Sequence, residues 1–179
     1  MSRIYVASLS DYNSGRLFGK WLDLVDYADA EDVNSAIVEM LDESEEPGAE
    51  EFAIHDYEGF AGFKIGEYDR LEDVFKLHEA LEELEYDAVP FVLWAENQGY
   101  SPLDAVDNVE SFREAFIGQT NVSDYAYEYV QDCVFTPETP EMLKNYFNYE
   151  AFARDLVLGG DIYELTAPDF GSTYLFHSA

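Results

Sequence analysis

The sequence predicts an α+β protein built as an elongated chain of three small subdomains. Segments of alternating apolar residues, typical of strands, lie towards both ends of the chain, and apolar stripes at helical spacing occupy its middle. The 179 residues are 47% hydrophobic and 16% aromatic, so the chain can form a core despite its acidity. We expect an N-terminal α+β subdomain over residues 1–66, a central helical subdomain over 67–109 and a C-terminal α+β subdomain over 110–179.

The first subdomain is predicted to combine three strands with one helix. Residues 3–8 and 51–57 alternate between apolar and polar side chains, and residues 17–24 carry another strand-like apolar set. Turn-forming residues over 11–15 separate the first two strands. A helix is expected over 32–41, with Asp32 as its N-cap, because the apolar residues of this segment then fall on one face.

The central subdomain is predicted to be helical. Residues 71–86, LEDVFKLHEALEELEY, place an apolar stripe that includes His78 opposite a face rich in glutamate. Residues 89–99 form a shorter apolar segment that ends in glycine, which favours a helix with a left-handed cap. Ser101 followed by Pro102 is typical of a helix start, so a further short helix is expected.

The last subdomain mixes both types of element. A strand is predicted over 112–119, and Ser123 is expected to cap the helix that follows. Residues 140–158 should be helical with a pause near Asn148, and Gly159-Gly160 should end them. The segments IYELTA and STYLFH, separated by proline and glycine, predict a terminal hairpin.

The charge distribution is the most unusual property of the chain. It holds 39 acidic and 9 basic residues, a formal net charge of -30. No Lys or Arg occurs over residues 21–63, which hold fourteen carboxylates, or over 77–112, which hold nine more. Like charges on a compact body repel one another and cost stability. A property other than folding must therefore favour them, and the absence of a tail-like block argues against a simple acidic extension.

Catalytic and metal-binding patterns are weak in this sequence. On a strand, Asp56 and Glu58 share one face and His55 points to the other, which is poor geometry for a local acid–base pair. The three histidines show no metal-ligand spacing, and we find no HExxH, CxxC, P-loop or GxSxG motif. We therefore predict a protein that is not an enzyme and holds no cofactor or metal.

Several features bear on the compartment. The N-terminus lacks a long apolar segment typical of a secretory signal, and no apolar run approaches the ~20 residues of a membrane helix. The single Cys133, beside Val134 and Phe135, is expected to be a buried structural thiol. These features predict a cytoplasmic protein that does not bind a membrane.

The sign of the charge excludes ordinary nucleic-acid binding, which places Lys and Arg on phosphates. It suits instead a partner that itself binds nucleic acid. B-form DNA carries one charge per ~1.7 Å, so thirty charges correspond to roughly 50 Å of duplex. A compact domain of this length would be about 40 Å across, so an elongated body matches DNA better. Two main hypotheses follow, a DNA mimic and an acidic adaptor or chaperone for a basic protein, with a carboxylate-based hydrolase as a distant third.

Three stretches resemble the signature regions of the ArdA antirestriction proteins. They are RIYVASLSDYNSGRLFGKWLDL, EEFAIHDYEGF and YFNYEAFARDLVLGGDIYEL, and the resemblance extends from Arg3 to about Leu165. It implies a protein of mobile genetic elements that mimics B-form DNA and occupies the DNA-binding groove of Type I restriction–modification enzymes. It also implies an elongated three-part monomer and a homodimer.

The resemblance implies two groups of functional residues. The block over 146–160 matches the antirestriction motif, which is associated with the dimer contact, although its apolar residues also fit an ordinary amphipathic core helix. The expected dimer-contact residues are Tyr146, Phe147, Tyr149, Phe152 and Leu156. The expected phosphate-mimicking acids, on exposed helix faces and adjoining turns, are Asp23, Asp26, Asp29, Glu31, Glu39, Asp42, Glu43, Glu45, Glu46, Glu72, Asp73, Glu79, Glu82, Glu83, Glu85, Asp104, Asp107 and Glu110.

Overall fold

A computed structural model of the chain describes residues 1–168 and 171–178. The chain forms two compact units, Met1–Val109 and Glu110–Ala179. Each unit combines helices with a small antiparallel sheet, so the predicted α+β class is confirmed. A division of the first unit near residue 66, and with it the three-part arrangement, stays a prediction.

The first unit is built on a three-stranded antiparallel sheet in the order β2-β1-β3. Strand β1 (Arg3–Ser8) lies in the centre, between β2 (Gly19–Asp23) and β3 (Phe52–Glu58). Its apolar residues are buried, as their alternation predicted. A Cβ on Gly19 would lie 2.3 Å from the Val6 carbonyl oxygen, so only glycine lets these two strands pair here.

Two local predictions in this unit are wrong, and in both a capping side chain explains the difference. The first three residues of the turn predicted over 11–15 belong to a short helix, α1 (Leu9–Asn13), because Ser8 Oγ accepts a hydrogen bond from the Asp11 amide at 3.3 Å and caps it. Helix α2 (Ala30–Asp42) starts before Asp32, because the carboxylate of Asp29 is its cap and accepts from the Asp32 amide at 2.9 Å.

The helices predicted for the middle of the chain are confirmed. Helix α3 (Leu71–Leu84) buries its apolar stripe, including His78, and exposes most of its acids. Helix α4 (Ala88–Gln98) ends at Gly99, whose φ of 79° is the left-handed conformation that glycine favours. Helix α5 (Pro102–Val106) begins after Ser101, whose side chain accepts from the Asp104 amide.

The second unit combines the α-helices α6 to α9 with a second three-stranded antiparallel sheet, whose strands lie in the order β4-β6-β5. A π-helical turn, Val130–Val134, follows helix α7. The predicted terminal hairpin is confirmed, with register from Ile162↔His177 to Thr166↔Thr173. In chain order the elements are α6 (Val109–Ala115), β4 (Phe116–Gly118), α7 (Val122–Tyr129), α8 (Glu141–Asn145), α9 (Tyr149–Leu158), β5 (Ile162–Thr166) and β6 (Thr173–His177).

Three predictions in this unit need correction. The first half of the segment predicted as a strand over 112–119 belongs to helix α6, because Phe112 packs inward against Phe116, with 5.2 Å between ring centroids, and only 116–118 form the strand β4. Asn121 rather than Ser123 caps α7, since its side-chain oxygen accepts from the Asp124 amide at 2.9 Å. Cys133 is exposed rather than buried, because Val130 is the buried residue of the π-helical turn.

Candidate functional site

The predicted acids lie almost entirely at the protein surface. Fifteen of the eighteen are exposed, and the remaining three are half-buried. All but Glu110 belong to the first unit. The half-buried three are Asp23, Glu46 and Asp73.

Helix α2 carries its acids at both ends. Glu31 and Asp32 occupy its first turn, where the positive end of the helix dipole stabilises negative charge. Glu39 and Asp42 lie in its last turn and Glu43 is its C-cap, where the dipole disfavours them, and no basic residue compensates in that turn. The C-terminal acids therefore lower the stability of the helix that carries them.

Helix α3 repeats this arrangement. Its last turn holds no basic residue, although Glu82 and Glu83 lie there and Glu85 is the C-cap. Glu79 is three and four residues from Glu82 and Glu83, and like charges at those spacings repel on a helix surface. Two helices of the first unit thus present carboxylates at the ends where helix electrostatics opposes them.

The cations of the protein contact only part of this acidic surface. Among the residues that the structure describes, no cationic group forms an ion pair with a carboxylate of helix α2. Exposed pairs contribute little to stability, but they do reduce the local negative field. Pairs within 3.9 Å that involve these acids include Glu45 and Glu46 beside Arg16, Glu72 and Asp73 beside Arg70, Glu82 beside the Met1 amino group and Glu110 beside Arg113.

The charges of three of these acids affect the pKa of Tyr27. Burial raises the pKa of its hydroxyl, and the charges of Asp26, Asp23 and Glu39 raise it further. These carboxylates come from β2, the 3-10 turn after it and helix α2. The fold therefore concentrates acids that are distant in sequence around one phenol.

A buried carboxylate holds the loop after α2 in place. Asp11 is fully buried, and its Oδ2 accepts a hydrogen bond from Ser44 Oγ at 2.6 Å. Arg16 lies 3.2 Å from Asp11 Oδ1 and also reaches Glu45 and Glu46. Burial favours the neutral acid, but the hydrogen bonds from Ser44 and Ser8 and the Arg16 charge together hold the pKa of Asp11 below its ordinary value.

The predicted dimer-contact residues divide into two groups. Tyr146 is 85% exposed. Phe147, Tyr149 and Phe152 are half-buried in a cluster of rings, with centroid distances of 5.0 Å from Phe147 to Tyr149 and 5.8 Å to Phe152. Leu156 is also half-buried. Most of this motif therefore packs within its own unit, as the amphipathic-helix alternative predicts.

Other apolar residues of the second unit are more exposed than all the predicted ones except Tyr146. Met142 and Leu143 on α8 and Leu158 at the end of α9 are 68%, 58% and 77% exposed. Sequence reasoning missed them because it selected mainly the aromatic residues of the 146–160 block. The signal was present in the pause between α8 and α9, since short amphipathic helices leave part of their apolar surface uncovered.

A family model described as antirestriction protein (ArdA) matches residues 4–168. The chain belongs to the ArdA family. Membership implies an antirestriction function. A comparison with curated proteins found no match.

His55 and Glu58, which were considered for catalysis, both lie on strand β3. His55 is half-buried on β3, whereas Glu58 on the same strand pairs with Arg3 at 2.6 Å. Within residues 1–168 and 171–178, no three His, Cys, Asp or Glu side chains gather so that they could hold a metal ion. Over the same residues, no helix combines the length and the apolar character needed to cross a bilayer.

Proposed function

We propose that this ArdA protein occupies the DNA-binding groove of a Type I restriction–modification enzyme as a mimic of B-form DNA, and so blocks restriction. The observation that carries the proposal is the set of carboxylates at the C-terminal ends of α2 and α3. They oppose the helix dipole and have no basic residue in the same turn. Such positions cost stability, so binding rather than folding accounts for them.

The arrangement of the cations supports the same reading. A groove that binds the DNA backbone presents many Lys and Arg side chains, and it recognises an array of negative charges rather than one residue. Within the described part of the chain the acids of α2 form no ion pair, so their charge is available to such a groove. Inhibition then requires no catalysis and no cofactor.

The proposal includes a homodimer formed through the second unit. Two subunits of charge -30 repel each other, so the contact must bury apolar surface at about 25 cal/mol per Å² to offset that repulsion. Tyr146, together with the exposed Met142, Leu143 and Leu158, supplies such surface. A two-fold contact is the simplest geometry, because it places one apolar surface against its own copy.

The decisive experiment measures competition for the enzyme. The protein is titrated into a fluorescent duplex bound to a Type I methyltransferase core, and release of the duplex is followed by anisotropy. We expect complete displacement, with an apparent affinity that falls steeply as salt rises, as it does for DNA. The test variant neutralises four unpaired acids of α2 and its cap, Glu31, Glu39, Asp42 and Glu43, to the corresponding amides.

A matched control separates position from total charge. It neutralises four exposed glutamates of the second unit, Glu114, Glu128, Glu138 and Glu150, and so changes the net charge equally. We expect the α2 variant to displace duplex much less well than the control. Binding without displacement of duplex would favour an acidic adaptor that contacts another face, and equal losses in both variants would contradict a positioned DNA-like surface.

A further inference from the structure

A polar cleft in the first unit is separate from the acidic helices. It is about 400 Å³ in volume and lies between α1, β3 and the segment that follows β3. This is near the lower end of the ~300–1,000 Å³ typical of small-ligand pockets, so it suits one side chain better than a large cofactor. Its lining residues are Tyr12, Ile54, His55, Tyr57, Ile65 and Glu67.

A β-bulge places His55 in this cleft. Tyr5 pairs with Asp56 and Val6 pairs with Ile54, so His55 is an extra residue on β3. Bulges redirect side chains and are frequent beside functional sites. The Ile54 amide on β3 donates to the Glu67 carbonyl oxygen at 2.9 Å, and this hydrogen bond holds the Glu67 segment against β3.

The imidazole of His55 has an unsatisfied atom. Its Nε2 is buried and has no hydrogen-bond partner, and a buried polar atom of this kind requires an explanation. Glu67 Oε1 is 3.7 Å away, which is too long for a hydrogen bond. The Glu67 carboxylate beside it is 51% exposed, so it is open to a cationic donor that enters the cleft.

Aromatic rings complete the cleft. Tyr12 is 56% exposed, and its ring meets that of His55 at a centroid distance of 4.8 Å and an angle of 79°. Tyr57 is half-buried nearby. Aromatic rings attract cations, and a guanidinium combines five N–H donors with a planar form that stacks on rings and forks onto a carboxylate.

We propose that the cleft receives one arginine guanidinium of the partner protein, which packs on the exposed Tyr12 ring and pairs with the Glu67 carboxylate beside His55. The guanidinium neutralises this carboxylate, which is 51% exposed. The cleft then gives the partner one discrete anchor beside an otherwise distributed acidic surface. That the arginine belongs to a restriction enzyme rests on the proposed function, whereas binding of a guanidinium does not.

The first test uses Nα-acetyl-arginine amide as the probe. It is titrated into the full-length protein at constant ionic strength, while the ring resonances of His55 and Tyr12 are followed by NMR. We expect saturable shifts with a dissociation constant in the millimolar range, and weaker binding of Nα-acetyl-lysine amide. Shifts of the same size with sodium chloride or magnesium chloride would reduce the effect to charge screening and overturn the proposal.

Two variants locate the binding. Glu67→Gln should weaken binding of the arginine probe at least about fivefold, because it removes a charge-assisted acceptor. Glu128→Gln makes the same chemical change at an exposed position of the second unit and should leave probe binding unchanged. Equal probe affinity in the two variants would overturn the assignment, and unchanged thermal melting shows that Glu67→Gln remains folded.

The second test returns to the enzyme. Glu67→Gln and Tyr12→Leu should each displace duplex less well than Glu128→Gln does. If the probe binds but both cleft variants inhibit like wild type, the assignment to a partner arginine is wrong. If wild type binds the probe and displaces no duplex, the proposed function fails while the guanidinium site stands.

Discussion

Removing carboxylates from the C-terminal end of helix α2 should make the protein more stable. The variant Glu39→Gln/Glu43→Gln replaces a last-turn residue and the C-cap with amides of nearly the same shape. Glutamine and glutamate have similar helix propensities, so the main change is electrostatic. The substitution removes two negative charges from the negative end of the dipole and also removes repulsion between residues four apart.

The size of the gain follows from the helix-end effect. Each charge contributes about 0.3–1 kcal/mol at low salt, so the double variant should gain about 0.6–2 kcal/mol in free energy of unfolding. For a protein of this size, 1 kcal/mol shifts the melting temperature by roughly 2–4 °C, which predicts an increase of about 1–8 °C. The gain should shrink at high salt, because these side chains are exposed.

Tryptophan fluorescence is the suitable assay, because both tryptophans, Trp21 and Trp94, lie in the first unit with α2. Glu31→Gln is the matched control, since it makes the same change in the first turn and should lower the melting temperature instead. The reasoning is refuted if the double variant melts at or below the wild-type temperature in low salt, or if the control shifts in the same direction. Under the proposed function, the stabilised variant should also inhibit less well.

Three further predictions concern other parts of the molecule. Asp11→Asn should lower the melting temperature above pH 4. Because the folded pKa of Asp11 is depressed, its contribution to the free energy of unfolding is present above pH 3.8 and is lost as the pH falls through the folded value. A difference in melting temperature between wild type and variant that stays constant from pH 5 to 2 would contradict this. Tyr27 should titrate above pH 10.0 by ultraviolet absorbance and shift down in about 0.5 M salt, and an unchanged value would contradict the field of its three acids. Tyr146→Asp/Leu158→Asp should yield a folded monomer by light scattering, and a wild type that is already monomeric at micromolar concentration would remove the dimer.

Sequence patterns predicted those elements whose local and tertiary preferences agree. Helix α3 has an uninterrupted apolar stripe that a sheet or neighbouring helix can cover, so periodicity alone was sufficient. Strand β1 likewise alternates and lies in the centre of its sheet. The acidic surface was also accessible from sequence, because carboxylates without partners remain at the surface.

The errors occurred where one side chain decides between alternatives. Asp29 and Asp32 are both suitable caps, and only the structure shows that the Asp29 carboxylate accepts from the Asp32 amide. Residues 112–119 contain enough β-branched and aromatic residues for a strand, but tertiary packing of Phe112 favours a helix as far as Ala115. The cleft around His55 depends on a β-bulge. Strict alternation along a strand assumes that no bulge is present, so it could not predict the position of this side chain.

Two cations of the first unit, Arg3 and Arg16, join segments that are distant in sequence and leave the C-terminal end of helix α2 without a basic residue. Arg16 joins the buried Asp11 to Glu45 and Glu46 after helix α2, and Arg3 joins β1 to Glu58 on β3. If the acids served only solubility, a cation in the last turn of α2 would improve stability at little cost to net charge. The last turn of α2 contains no cation, so no basic residue there reduces the negative charge at this end of the helix. That placement is expected of a surface whose partner supplies the missing cations.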